Sequence, residues 1–378
     1  MEIGRSPVYA ITFVAFLCFS VLAATAKTWP GFLVFRCLQA FFGSPCLANG
    51  GASMHDLFPG LTVAYSLAIW IAAAYCGPAL GPLMAGYVVP IKGWRWAMWE
   101  MVWLSAPVVV LLWLLPETYA PAIKARNQKR AHTDVEKATR LGQTSSAAMA
   151  KSLKNALVKP IQICVQDPAV AVSNIYTSFI YSTYYTFFDA LPRVYTWNYG
   201  FTPGQVGLVF LSVFVACIVA GSAYCLYISK ILHPKLESGS GTSYEDQLRP
   251  ALAATFLLPL GLFLFGWTSD GTIHWIVSVI GITLYSMGTF IILQCLSVYL
   301  PKIYPRYSAS LFAANDFCRS TLAAAAIHFA IPLYDDLGIG KGVSVLGGLS
   351  VLGIVGMWYI YRAGASLRAR SRFSDSDD

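Results

Sequence analysis

The sequence predicts an all-α, polytopic membrane protein with about ten membrane-spanning helices, arranged as four and then six. Three observations carry that expectation. Charged residues make up only 12% of the 378 positions, and hydrophobic residues 57%. A soluble domain carries roughly 25% charge. Mean hydropathy is +0.59. The few charges are clustered, and the uncharged runs between them reach the ~20 residues a bilayer crossing needs. An ordinary soluble enzyme, a disordered chain and a secreted disulfide scaffold are excluded. Barrel strands are ~10 residues long with alternating polarity, whereas these runs are longer and apolar on every face.

The elements follow in order. Residues 6–26 carry no Asp, Glu, Lys or Arg and predict a helix over 7–26. Met1 to Pro7 lead directly into this run, so no cleavable signal peptide is expected. The run 31–53 is broken only by Arg36. The uncharged run 57–91 predicts a helix over 62–88, and 97–115 contains the single charge Glu100. These four form an expected N-terminal bundle over 1–115. Residues 116–167 follow as a basic linker, with Lys124, Arg126, Lys129, Arg130, Lys137, Arg140, Lys151, Lys154 and Lys159. Six further helices are expected at 169–190, 205–228, 250–268, 273–297, 308–332 and 343–362, making a C-terminal bundle with a tail over 168–378.

Lys and Arg sort by side. With the N-terminus, linker and C-terminal tail in the cytoplasm, nineteen fall on that side and five outside, the bias expected of inward-facing loops. Trp29, Trp94, Trp96, Trp197 and Tyr199 fall near span ends, where aromatic belts belong. The net charge of +8 therefore reads as a topology signal, and no nucleic-acid partner is expected. The nine cysteines contain no C-x-x-C and mostly sit inside apolar runs as small buried hydrophobes. The five histidines are scattered, with no second ligand at helical spacing. No metal or other cofactor is expected. Gly338-Ile339-Gly340-Lys341-Gly342 lacks the spacing of a phosphate loop.

Ionisable groups inside a bilayer cost roughly 2.5–3.5 kcal/mol each on insertion scales and are candidates for function by default. Arg36, Gln39 and Gly43 recur at i, i+3 and i+7 on one helix face, followed by Asn49 among small residues. Gly77-Pro78 and Gly81-Pro82 combine kinks with a flat glycine face, read as a passive packing kink or as a hinge between moving helices. Tyr181 and Tyr185 belong to an aromatic stretch that ends at Asp189, and face either a cavity or lipid. Asp316 and Arg319, at i, i+3, can pair as a structural bridge or serve in coupling. Gln294 is a candidate substrate contact, and Gln39, Asn49, Tyr181, Tyr185 and Asp189 are further candidates for lining a substrate cavity.

Together these residues resemble a known family. Arg36-x-x-Gln39-x-x-x-Gly43 with Ser44-Pro45 resembles the fourth-helix motif of the major facilitator superfamily. Gly77-Pro78-x-x-Gly81-Pro82 resembles its fifth-helix antiporter motif, with Pro82 where a second glycine is common. Pro116-Glu117-Thr118-Tyr119-Ala120-Pro121 looks like the end of the sixth helix in fungal drug:proton antiporters, and the stretches 174–179 and 310–320 look like the same group. The resemblance implies a major-facilitator-type bundle of two six-helix halves rocking around a cavity. It implies proton-driven export of drugs, fungicides or secondary metabolites by a multi-pass monomer in the plasma membrane, or alternatively the vacuolar membrane. Its partners are then lipid, protons and a small organic substrate. By motif match Arg36 is tied to proton coupling, and Asp316 and Arg319 are further coupling candidates. Gly77, Pro78 and Gly81 fall in the motif credited with antiport directionality. Ten spans set against twelve leave the first two unmatched, and Gly4-Arg5-Ser6-Pro7 resembles the end of the loop before the third helix. The expectation that follows is that residues 1–378 alone do not export. Two other classes compete: a non-transporting membrane remnant, and a membrane-embedded enzyme, for which His55-Asp56 is the sole adjacent His/Asp pair.

Overall fold

A computed structural model describes residues 4–119, 122–124, 158, 160–164, 166–238 and 243–370. Most of the 116–167 linker, including Ala120, Pro121 and every linker basic residue except Lys124, lies outside the described residues, as does the chain beyond 370. Among the described residues there is no strand.

The first half comprises α1 (Ser6–Thr25), α2 (Trp29–Gly43), α3 (Pro45–Leu57), α4 (Thr62–Lys92) and α5 (Trp94–Leu114). The α2–α3 pair forms one crossing, interrupted where Pro45 supplies no N–H donor. The second half comprises α6 (Pro168–Arg193), α7 (Pro203–Tyr227), α8 (Leu257–Trp267), α9 (Trp275–Ile303) and α10 (Ser308–Arg370). We call the end near residues 57–62, 115–119 and 228–249 the linker end, and the opposite one the far end.

Eight stretches pass as membrane crossings by length and hydropathy among the described residues. Two physical facts relate them to the ten expected from the sequence. The stretch Ser308–Gly364 runs for 57 residues, far beyond one bilayer thickness at ~1.5 Å per residue. It breaks at Gly338, whose φ of 76° and ψ of 164° are non-helical, so it crosses twice. Helix α6 is 26 residues long but less hydrophobic, because it buries Ser173, Asn174, Thr177, Ser178, Ser182, Thr183 and Thr186. A span that faces protein on most sides can carry such groups when they find partners.

Within the first half α1 packs on α2 and α5; within the second α6 packs on α10 and α8 on both α9 and α10. The halves meet along α4–α7 and at α3–α10. Helices α4 and α7 approach at backbone contact: a Cβ on Gly86 would lie 2.5 Å from the Pro203 carbonyl oxygen, and one on Gly207 would lie 2.7 Å from Leu83 Cα.

The linker end of the first half is tied by Glu117. Its carboxylate accepts the first N–H groups of α1, from Arg5 (2.9 Å) and Ser6 (3.2 Å), and those of Thr118 (3.1 Å) and Tyr119 (2.9 Å). Arg5 in turn pairs with Asp56 at 2.8 Å and donates to Ser53 at 3.1 Å. Burial pushes the Glu117 carboxyl up, but the four backbone donors outweigh it and hold it below its ordinary 4.5. A carboxylate favoured in the folded state stabilises above its unfolded pKa, and that contribution disappears as pH falls through the lowered folded value. Glu117→Ala is expected to cost about 1 kcal/mol, as for a lost N-cap. Its thermal-melt difference from wild type should vanish as the pH drops well below 4.5. A difference independent of acid would show that the cap is not carried by the carboxylate.

Candidate functional site

The second half carries an aromatic and charged site near mid-span. On α6, Asn174, Thr177, Tyr181 and Tyr185 succeed one another at three- and four-residue spacings and share one face. Helix α10 lies against that helix and supplies Asn315, Asp316 and Arg319. Asp316 and Arg319 stand 8 and 11 residues into α10, roughly 12–17 Å deep at ~1.5 Å per residue. That is about half of a ~30 Å hydrocarbon core.

Arg319 Nη2 donates to Asp316 Oδ1 at 2.5 Å, and the side chains are only 13% and 17% exposed. The guanidinium stacks over the Tyr181 ring at 4.4 Å from its centroid, a cation–π contact strengthened where water is excluded. The Tyr181 and Tyr185 hydroxyls are 3.1 Å apart. From the first half Tyr75 of α4 closes the box, edge-on to Tyr181 and Tyr184 at 6.4 and 5.5 Å. Phe188 and Phe210 extend it, with ring centroids 5.2 Å apart. Among the described residues, four buried polar atoms here find no hydrogen-bond partner: Asp316 Oδ2, Arg319 Nε and the Tyr75 and Tyr184 hydroxyls. Such atoms are costly unless a ligand, water or proton engages them. The arrangement can accept a proton at Asp316 and present donors, an acceptor and aromatic faces to a small molecule, with both halves contributing.

The other expected residues occupy different places. Arg36 Nη1 donates to Gln39 Oε1 at 3.0 Å, and Gln39 Nε2 donates to Ser20 Oγ at 2.8 Å and Met101 Sδ at 3.0 Å. This polar thread joins α1, α2 and α5 within the first half. Asn49 is half-buried on α3. Among the described residues, no atom beyond their own stretch of helix lies within 4 Å of a Cβ placed on Gly77 or Gly81, and Pro78 and Pro82 lie inside the continuous α4.

Gln294 is fully buried and donates across the halves to the Ala64 carbonyl at 2.7 Å, which makes it a bridge between α9 and α4 in this arrangement. Asp189 is bound at 2.9 Å by Arg193, which also pairs with Asp335; this ion triad clips α6 to α10 at the far end. Sequence reasoning does not single out Tyr75, a lone tyrosine in an apolar run. Nor does it find His55 as a contact: its Nε2 lies 3.1 Å from the Ser297 carbonyl of α9 across the halves.

A family profile described as Major Facilitator Superfamily matches residues 2–328. The chain is 40% identical to the MFS-type transporter pyvG of Aspergillus violaceofuscus, over 99% of this chain and 69% of that protein. It is 33% identical to Fluconazole resistance protein 1 of Saccharomyces cerevisiae, over 98% and 69%. Among solved structures the fold is similar to that of the proton:xylose symporter XylE. The TM-score is 0.64 at 12% identity, covering 95% of this chain and 80% of that one.

Proposed function

The chain belongs to the Major Facilitator Superfamily, and from that membership we propose that it couples inward proton flow to the export of small organic compounds. It is a multi-pass membrane transporter, not an enzyme. Relatives carry names of efflux and drug resistance, including Fluconazole resistance protein 1, which supports a drug or secondary metabolite as the exported class. The plasma membrane is the proposed location and a monomer the proposed form.

One observation carries the reading: Asp316, paired with Arg319 near mid-span, keeps one carboxylate oxygen without a partner among the described residues, beside an aromatic box built from both halves. Coupling needs a group that changes charge in the membrane interior where the halves meet, and ionisable groups there are costly enough to require a use. Protonating Asp316 breaks its bond to Arg319 and frees the guanidinium, so proton and substrate compete for one set of contacts. Reconstituting the protein in liposomes with a trapped pH dye tests this. Substrate movement should be accompanied by opposite proton movement, and substrate movement that leaves the internal pH untouched would refute it; no substrate movement would instead match the expectation that residues 1–378 alone do not export.

Arg36 is proposed as a second coupling position, supported by its place in the thread to Gln39 and Ser20. Arg36→Ala is expected to lose coupled export while still reaching the membrane. Arg36→Lys should restore part, since an ammonium lacks the planar fork of donors. Full export by Arg36→Ala would reduce the residue to an interface anchor. Gly77, Pro78, Gly81 and Pro82 are proposed to act when a helix approaches their open face during the cycle.

The division into a bundle over 1–115, a cytoplasmic linker over 116–167 and a second bundle over 168–378 is part of the proposal, supported by the nineteen-to-five bias of basic residues. A cysteine placed at Gln128 should resist impermeant thiol reagents in intact cells. Rapid labelling from outside would reverse the orientation.

A further inference from the structure

We propose that the seam between α6 and α10 is a proton relay running from Asp316 to His55 at the linker end; it rests on the reading of Asp316 as the coupling carboxylate. From Tyr181 at the buried ion pair the stripe runs through Thr177 to Asn174, toward the linker end. Below the pair, Asn315 Nδ2 donates to Thr177 Oγ1 at 2.7 Å and to Asn174 Oδ1 at 2.9 Å. Thr177, Ser297 and Asn315 supply the polar wall of a cavity of about 30 Å³, room for one or two waters.

Two residues lining that cavity are touched by His55 from the other half. Its Nε2 is 3.1 Å from the Ser297 carbonyl, and its ring centroid is 5.9 Å from that of Phe312. Polar side chains, a water-sized space and an imidazole thus adjoin one another between Asn315, the residue before Asp316, and the linker end. Histidine is the side chain whose ordinary titration falls near neutral pH.

The contact with a carbonyl requires the N–H at Nε2, which leaves Nδ1 as the acceptor. One proton leaves the Asp316 carboxyl, and the carboxylate re-pairs with Arg319. Cavity water passes on one proton as it receives one, while Thr177, whose hydroxyl donates to the Ser173 carbonyl at 2.9 Å, helps to hold that water in place. His55 becomes imidazolium and then returns its proton to bulk water at the linker end. Around His55 the charged groups are Lys302 of α9, Asp56 on its own helix and Arg5, which precedes α1; Arg5 and Asp56 are paired with each other at 2.8 Å. Proton transfer through a positioned side chain accelerates by about 10²–10⁴-fold.

The test is time-resolved infrared spectroscopy of the full chain, sealed in liposomes with the linker end outward. The Asp316 carboxyl band, identified by its loss in Asp316→Asn, is followed after an external pH jump. His55→Gln keeps a donor for the Ser297 carbonyl but carries no proton. It should slow the band by at least about tenfold, and external imidazole should restore the rate. Thr177→Val should slow it equally without rescue; if that variant does not insert, His55→Gln decides alone. Unchanged kinetics in His55→Gln, or slow kinetics that imidazole leaves slow, overturn the relay while Asp316 still titrates. No titrating band assignable to Asp316 overturns the coupling reading itself.

Discussion

Arg319→Met should destabilise the protein by about 3–5 kcal/mol, the usual cost of removing one partner of a buried ion pair, and abolish coupled transport. The size follows from what remains. Asp316 keeps its place near mid-span, loses the 2.5 Å bond to Arg319 and becomes an uncompensated charge among aromatic rings. Asp316→Leu should be similarly damaging, because it strands the guanidinium over Tyr181. The double variant Asp316→Leu/Arg319→Met is the informative one. Replacing both partners by apolar groups of similar volume is often neutral or stabilising, so its thermal stability should return close to wild type. Its proton-coupled transport should not return. A double variant that regains both would make the pair a structural bridge.

The second large effect is expected at the seam between the halves. Gly207→Ala places a Cβ 2.7 Å from both Leu83 Cα and the Pro82 carbonyl oxygen, and Gly86→Ala places one 2.5 Å from the Pro203 carbonyl oxygen. These neighbours are backbone, which cannot rotate away, so α4 and α7 must separate. Overpacking of this kind costs typically 1–3 kcal/mol. The displacement also pulls Tyr75 of α4 away from Tyr181 and Tyr184. Efflux in each variant should fall at least about tenfold, as expected when a 1 Å misplacement costs up to ~10²-fold. Gly348→Ala is the control: nothing lies within 4 Å of its Cβ, and the helix gains up to ~1 kcal/mol from alanine. Normal efflux from Gly207→Ala would show that the close approach of α4 and α7 is dispensable.

The legible part of the fold was the part that membrane solvation dictates. Long apolar runs, seven charge-free and three with isolated charges, marked the expected crossings, because in lipid a helix satisfies its own backbone. Their ends agree with the helices to within a few residues at α1 and α5. Helix α6 shows the limit of hydropathy, since its buried hydroxyls and amides reflect protein neighbours that local sequence does not reveal. The ion pair of Asp316 and Arg319 was readable from i, i+3 spacing; the stacking of Arg319 on Tyr181 was not. Contacts between distant segments were not. Gln294 reads as a substrate contact until the Ala64 carbonyl, 230 positions away, is found against it. Asp189 reads as a cavity acid until Arg193 and Asp335 claim it. Tyr75 carries no local pattern and His55 only its neighbour Asp56, and only the packing of one half on the other brings them to Tyr181 and Ser297.

The central claim, that Asp316 exchanges the proton that drives export, meets its most direct test in a flux ratio. Wild-type protein and Asp316→Asn are reconstituted in liposomes, and substrate and proton movements are recorded together under an imposed pH gradient. Wild type should move substrate against its own gradient with protons passing the other way. Asp316→Asn should still exchange substrate down its gradient while moving no protons and building no substrate gradient. Uphill, proton-coupled export by Asp316→Asn would contradict the assignment.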